Sequence, residues 1–249
     1  MISKRVGAVC LALALALSAA HVAADEVRIA VATSFAATMD ALIERFQQLS
    51  EHRVVASFGS TGSQYAQIRS GAPYDAFFAA DDERPRLLEE QGLIVPGSRF
   101  RYAMGRLALW SPLPGYVDED GRVLEAGTFR FLAIANPDLA PYGAAARDVL
   151  VARGLWNDLQ SRIVRGQDIG QAYQFVATGN AELGFVAWAQ LARQEPKIPG
   201  SYWLVPDSLH EPIAQEAVLL KDTPGVRAFA AFVQGPEARE IIRSHGYGP

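Results

Sequence analysis

The sequence predicts an α/β protein of two lobes, each a mostly parallel sheet flanked by helices, with a ligand cleft between the lobes. Three observations carry that prediction. Apolar strand runs alternate with helix patterns along most of the chain, an order that implies parallel strands joined by right-handed crossovers. One longer apolar run, residues 101–111, breaks the alternation and reads as a crossover between two such units. Polar strand-to-helix loops stand in both halves, beyond the carboxyl ends of strands, where open parallel sheets bind ligands.

Each element has a local reason. Residues 27–32 are a strand run, and Met39, Leu42, Ile43, Phe46 and Leu49 then recur at helical spacing on one face. Residues 54–58 read as a second strand and 64–69 as a short helix. Residues 74–80 form a continuous apolar run, expected of a strand buried on both faces. Residues 81–91 follow as a helix, with acidic residues and Pro85 in its first turns and Gly92 at its end. After the crossover, residues 111–127 are rich in Pro, Gly and Asp and read as a loop. Strands are expected at 131–135, 162–164 and 183–187, with helices at 141–153, capped by Gly154, and at 169–178. Residues 194–206 form a Pro/Gly-rich stretch. Residues 213–220 read as a strand returning toward the first half, and 225–234 and 236–245 as closing helices. The division is residues 25–105 plus 221–249 for lobe I and 106–220 for lobe II.

The joints hold the chemistry. VRIAVATSFAATMDALIERF places Thr33 and Ser34 between strand and helix, and VVASFGSTGSQYAQI places Gly59, Ser60, Thr61, Gly62 and Ser63 there. A helix N-terminus has unpaired N–H groups and a partial positive charge. With hydroxyls added it becomes a pocket of neutral donors suited to an oxyanion. For either loop alone, simple N-capping is the better reading. Both loops in one chain favour the pocket. The second half contributes residues 136–143, NPDLAPYG, and 165–170, RGQDIG, each also leading into a helix. Tyr142, in a Pro-Tyr-Gly turn, can reach a cleft with its O–H or be an ordinary turn tyrosine.

The N-terminus has the form of a secretory leader: Lys4 and Arg5, the apolar run VGAVCLALALALSAA, then small residues before Asp25. The run is too short for a comfortable membrane span. Cys10 is followed by more apolar residues, not by a mature chain, so it is not a lipidation site. Cleavage after Ala24 leaves 225 residues, no cysteine and a formal charge of −6, against −4 for the whole chain. An exported chain without cysteine has no disulfide scaffold, thiolate metal site or catalytic thiol. An acidic one is a poor partner for nucleic acid or an anionic membrane.

Catalytic patterns fare badly. His52, His210 and His245 lack metal-ligand spacing, and no HExxH occurs. GSTGS does not match the G-x-S-x-G elbow and lacks the lysine of a phosphate-binding P-loop. Asp81 and Asp82 open a helix, where carboxylates meet the dipole favourably, and Asp75, inside a strand, is expected to bond nearby backbone. Trp110, Trp156, Trp188 and Trp203 are scattered and read as packing residues.

The segments VATSFAATMDALIERF, SFGSTGSQYAQIRSGAPYDAFFAAD, ANPDLAPYGAAARDVL, IGQAYQFVATGNAELGFVA and GPEAREIIRSHGYG together carry a resemblance. The chain resembles the periplasmic molybdate-binding proteins of ABC transporters over nearly its whole length after the leader. The resemblance implies a two-lobed type II periplasmic binding protein, without catalysis or a resident cofactor, that closes on one tetrahedral oxyanion. It implies ligand contacts at Ser34 with Thr33 beside it, at Thr61, at Tyr142 and at the backbone N–H of Ile169. These groups would touch molybdate oxygens, not the metal. Some relatives place a ligand-contacting tyrosine after the GxV strand, where this chain has Ala187; Tyr142 is expected to supply the phenol instead. The implied partner is a membrane permease, and the protein is expected to be a periplasmic monomer that also takes tungstate. Two other readings stay open: a site for another oxyanion such as sulfate, and an exported serine hydrolase using Ser34 or Ser60.

Overall fold

The computed structural model describes residues 24–193 and 198–248. The expected leader, save Ala24, lies outside the described residues. The first half runs β1 (Glu26–Ala32), a 3-10 turn (Thr33–Phe35), α1 (Ala36–Leu49), β2 (Arg53–Gly59), α2 (Thr61–Arg69), β3 (Ala76–Phe78), α3 (Glu83–Glu90) and β4 (Phe100–Gly105). After Arg106 alone, β5 (Leu107–Ser111) opens the second half. It continues with α4 (Val123–Ala126), β6 (Leu132–Ala135), α5 (Pro141–Ala152), α6 (Trp156–Leu159), β7 (Ile163–Gly166), α7 (Ile169–Ala177), β8 (Leu183–Ala187), α8 (Trp188–Ala192) and β9 (Ser201–Leu204). The chain then closes with β10 (Ile213–Leu219), α9 (Pro224–Val233) and α10 (Pro236–Ser244).

Two five-stranded sheets result, ordered β2-β1-β3-β10-β4 and β7-β6-β8-β5-β9. In the first, β1 is parallel to β2 and β3, while β10 is antiparallel to β3 and β4. In the second, β6 is parallel to β7 and β8, while β5 is antiparallel to β8 and β9. Each sheet is therefore mixed, with one strand against the other four. That strand is the one arriving from the other lobe. The other strands point their carboxyl ends at the cleft, so a chain that crosses at the cleft enters there and must run away from it.

Several sequence expectations are corrected. The run 101–111 is two strands in different sheets, divided at Arg106. Residues 213–219 lie in the first sheet, so lobe II does not extend to residue 220; the return crossing precedes Ile213. The stretch 194–206 contains β9, an edge strand on β5 that its turn-rich flanks conceal. The run 74–80 yields only the three-residue β3. Short helices α4, α6 and α8 were not anticipated, and Leu49, assigned to the apolar face of α1, is 56 % exposed at the end of its helix.

The cores follow the patterns. Val27, Ile29 and Val31 of β1 pack with Met39, Leu42 and Phe46 of α1 and with Phe229 of α9. Each such side chain contributes about 1.5–3 kcal/mol by burial. Phe35 meets the rings of Tyr102 and Tyr247 edge-on at 4.7 and 5.0 Å. The second lobe buries Leu107, Leu109, Ile134, Leu150 and Phe185. On its other face Trp110 stacks on Tyr173 at 5.1 Å. Trp110, Trp188 and Trp203 are buried, as expected of packing residues. Asp75 bonds backbone as anticipated, accepting from the Arg28 N–H at 2.6 Å, and also holds Lys221 Nζ at 2.7 Å.

Candidate functional site

The four strand-to-helix loops meet in one cavity between the lobes. β1 ends in the 3-10 turn that carries Thr33 and Ser34, β2 ends before Ser60 and Thr61, and the starts of α5 and α7 bring Tyr142 and Ile169. All five predicted site residues line this cavity. Ala187, one of the buried residues of β8, does not line it.

The hydroxyls divide by role. Ser60 is a cap: its Oγ accepts from the Ser63 N–H at 3.3 Å and donates to Ser63 Oγ at 2.7 Å. The simple capping reading therefore holds for Ser60. It fails for Ser34, whose Oγ is buried with no hydrogen-bond partner, as is Thr33 Oγ1. Thr61 Oγ1 accepts from the Ala80 N–H at 3.1 Å, which leaves its own proton free to donate. Tyr142, 2 % exposed, accepts from Gln215 Nε2 at 3.1 Å and likewise keeps its proton. Burial pushes its phenol well above the ordinary tyrosine range; the Gln215 amide and the nearby Ser34 hydroxyl, outside hydrogen-bond geometry, oppose that rise. The phenol thus stays a donor throughout the neutral range.

At α7, Asp168 is the N-cap and its Oδ1 accepts from the Gln171 N–H at 2.9 Å. Asp168 also lines the cavity, with its Oδ1 engaged by its own helix. The Ile169 N–H belongs to the first turn, which has no carbonyl behind it. Among the described residues no Lys or Arg lines the cavity, so its donors are hydroxyls and backbone amides.

The lobes are closed. The Gly62 N–H at the start of α2 donates to the Leu139 carbonyl at 2.8 Å, and Arg84 Nη2 reaches the Asp138 carbonyl at 3.2 Å. The cavity left is about 10 Å³, room for about one water. A larger solute must enter with the lobes apart.

Four supporting residues escaped the sequence reading. Gln215 and Tyr102 stand behind Tyr142, with the Tyr102 O–H at 3.1 Å from Gln215 Oε1. Gly105, last residue of β4, sits so close that a Cβ there would lie 2.3 Å from Tyr142 Oη. Tyr247 donates its O–H to the Ser34 carbonyl at 2.6 Å and so fixes the first loop. Only the last left a trace, in the closing GPEAREIIRSHGYG segment.

Fold and cavity define a class: a two-lobed binding protein with one small cavity of uncharged donors between its lobes. The chain belongs to the bacterial extracellular solute-binding proteins, whose family model matches residues 27–248. It is 50 % identical over 240 residues to the molybdate-binding protein ModA of Azotobacter vinelandii, covering 95 % of each chain. It is 45 % identical over 246 residues to the molybdate-binding protein ModA of Rhodobacter capsulatus, covering 98 % of this chain and 96 % of that one. The solved structure of the Azotobacter vinelandii periplasmic molybdate-binding protein superposes with a TM-score of 0.86 at 44 % identity, over 90 % of this chain and 99 % of that chain.

Proposed function

We propose that this protein captures molybdate, and tungstate with it, in the interlobe cavity and delivers it to an ABC transporter from the periplasm. The observation that carries the reading is the pair of buried, unpartnered hydroxyls of Thr33 and Ser34, facing a cavity that Thr61, Tyr142 and the Ile169 N–H also line. An unpaired buried polar group costs about 1–3 kcal/mol, so two together in a donor-lined cavity point to an acceptor-rich ligand. A fully deprotonated tetrahedral dianion brings acceptors on all four oxygens. Singly protonated phosphate brings one O–H that meets a donor, at a cost of about 1–3 kcal/mol. Sulfate has the charge and shape of molybdate but is smaller; the reading of the larger ion here is supported by the relatives' being molybdate-binding proteins. Transfer to a membrane permease, a monomeric state and export by cleavage after Ala24 belong to the same proposal.

The hydrolase reading finds no support. Ser60 is spent as a cap. His52 accepts from the Asp25 N–H, His210 Nδ1 bonds the Glu211 carbonyl while its Nε2 is buried without a partner, and His245 Nδ1 bonds Thr38 Oγ1; none of the three lines the cavity with Ser34. The relatives are binding proteins.

Titration calorimetry of the dialysed protein lacking residues 1–24, with molybdate, tungstate, sulfate and phosphate, tests the proposal. One-to-one binding of the first two, with sulfate and phosphate far weaker, is expected. Preferred sulfate binding would reassign the ligand within the same cavity, and heat from none of the four would overturn the reading.

A further inference from the structure

We propose that Gln215 is the positioning residue that holds the Tyr142 phenol as a donor toward the cavity, so that this phenol takes only an anion oxygen free of a proton. This rests on reading the cavity as an oxyanion site. Gln215 is on β10 of the first sheet, fully buried, and does not line the cavity. It acts through Tyr142 on α5 of the other lobe, to which its Nε2 donates at 3.1 Å. Its Oε1 faces the Tyr102 O–H at 3.1 Å, and that hydroxyl also points at the Ala79 carbonyl at 2.9 Å.

A phenol has one proton. With a lone pair occupied by the Gln215 N–H, Tyr142 must aim that proton elsewhere, and the cavity is on its other side. With the amide reversed, Tyr142 would spend its proton on Gln215 and offer the ligand only lone pairs. A dianion that itself brings only lone pairs rejects that arrangement. The amide keeps this sense through the single Tyr102 proton, which is shared between the Ala79 carbonyl at 2.9 Å and Oε1 at 3.1 Å. The locked phenol also cannot turn round to accept from a protonated oxyanion. Because Gln215 and Tyr102 belong to one lobe and Tyr142 to the other, the phenol acquires its orientation from the lobe arrangement beside the crossover.

The test combines Gln215→Leu and Tyr142→Phe, singly and together, titrated with molybdate and inorganic phosphate. Gln215→Leu is expected to weaken molybdate by about tenfold, as loss of one oriented hydrogen bond to a charged ligand does, and to narrow the preference over phosphate. In the Tyr142→Phe background the same change is expected to add nothing. Gln215→Glu supplies a pH readout. Its carboxylate, at about pH 8, accepts the hydrogen bond of the Tyr142 O–H and repels the dianion; protonated, it has the donor and acceptor of the amide. Its molybdate affinity is expected to recover as the pH falls toward about 6, while the unaltered protein stays flat. Should Gln215→Leu fail to fold, Tyr102→Phe releases the amide while keeping the packing, with the same expected loss. Additive losses in the double variant, or a Gln215→Glu profile parallel to the unaltered protein, would overturn the inference while leaving the ligand reading intact. An unaltered protein that binds no anion removes the ligand reading itself.

Discussion

At Ser34 the chain buries a hydroxyl with nothing to bond. Such a group weakens the empty protein, and under the proposed function its partner arrives with the ligand and strengthens the loaded one. Ser34→Ala is therefore expected to leave the melting temperature of the ligand-free protein unchanged or raised, and to weaken molybdate by about tenfold or more. Scanning calorimetry and titration of the same sample check both halves. Tyr142→Phe is expected to cost a similar factor with the fold intact; unchanged affinity in both variants would remove the site assignment. Gly105 acts by having no side chain. A Cβ there meets Tyr142 Oη at 2.3 Å, Gln215 Nε2 at 2.8 Å and Ile213 Cγ2 at 2.9 Å. Gly105→Ala is expected to destabilise by about 1–3 kcal/mol through overpacking and to weaken binding by displacing the phenol. Denaturant melts and titration separate the two effects.

At the scale of elements, the C-terminal segment braces the first loop. Tyr247, after α10, holds the Ser34 carbonyl, and His245 Nδ1 lies 2.9 Å from Thr38 Oγ1 of α1. Burial depresses the His245 pKa, with Arg193 adding repulsion. The unfolded chain then takes up a proton at higher pH than the folded one, so stability is full above the ordinary histidine value and is lost as pH falls through the depressed value. Melting temperatures measured from about pH 7 to about pH 5 are expected to fall, and more shallowly in His245→Gln. An equal slope in both proteins would remove His245 as the cause. The same scale explains β9. An edge strand needs partners on one side only, so Ser201–Leu204 joins β5 despite a composition that reads as loop.

For the whole molecule, the proposed binding works through contact between the lobes. Gly170, in the first turn of α7, packs against Thr33 of the other lobe, and a Cβ there would lie 2.6 Å from Thr33 Cγ2. Alanine suits the helix better than glycine, so Gly170→Ala is expected to preserve each lobe while holding the pair apart. Weaker molybdate binding with an unchanged or higher melting temperature is the expected result. Small-angle scattering with and without ligand is expected to show less compaction than in the unaltered protein; full compaction with full affinity would show that the contact does not gate closure.

By itself the sequence determined the alternation of strand and helix, the crossover near residue 106 and the loops that meet at the cavity. Those depend on local patterns: apolar periodicity, hydroxyls at helix starts, and prolines and glycines in turns. It could not sort Ser60 from Ser34, since both stand at strand-to-helix joints and only the partner geometry makes one a cap and leaves the other bare. It could not reveal Gln215, which sits among the apolar residues of β10 and matters only through Tyr142, 73 residues away in the chain. Nor could it mark Gly105, whose missing side chain counts only because a phenol from the other lobe occupies that space. The tertiary structure decided the last two because β4 and β10 carry Gly105 and Gln215 to the crossover, where two lobes built from separate stretches of chain come into contact.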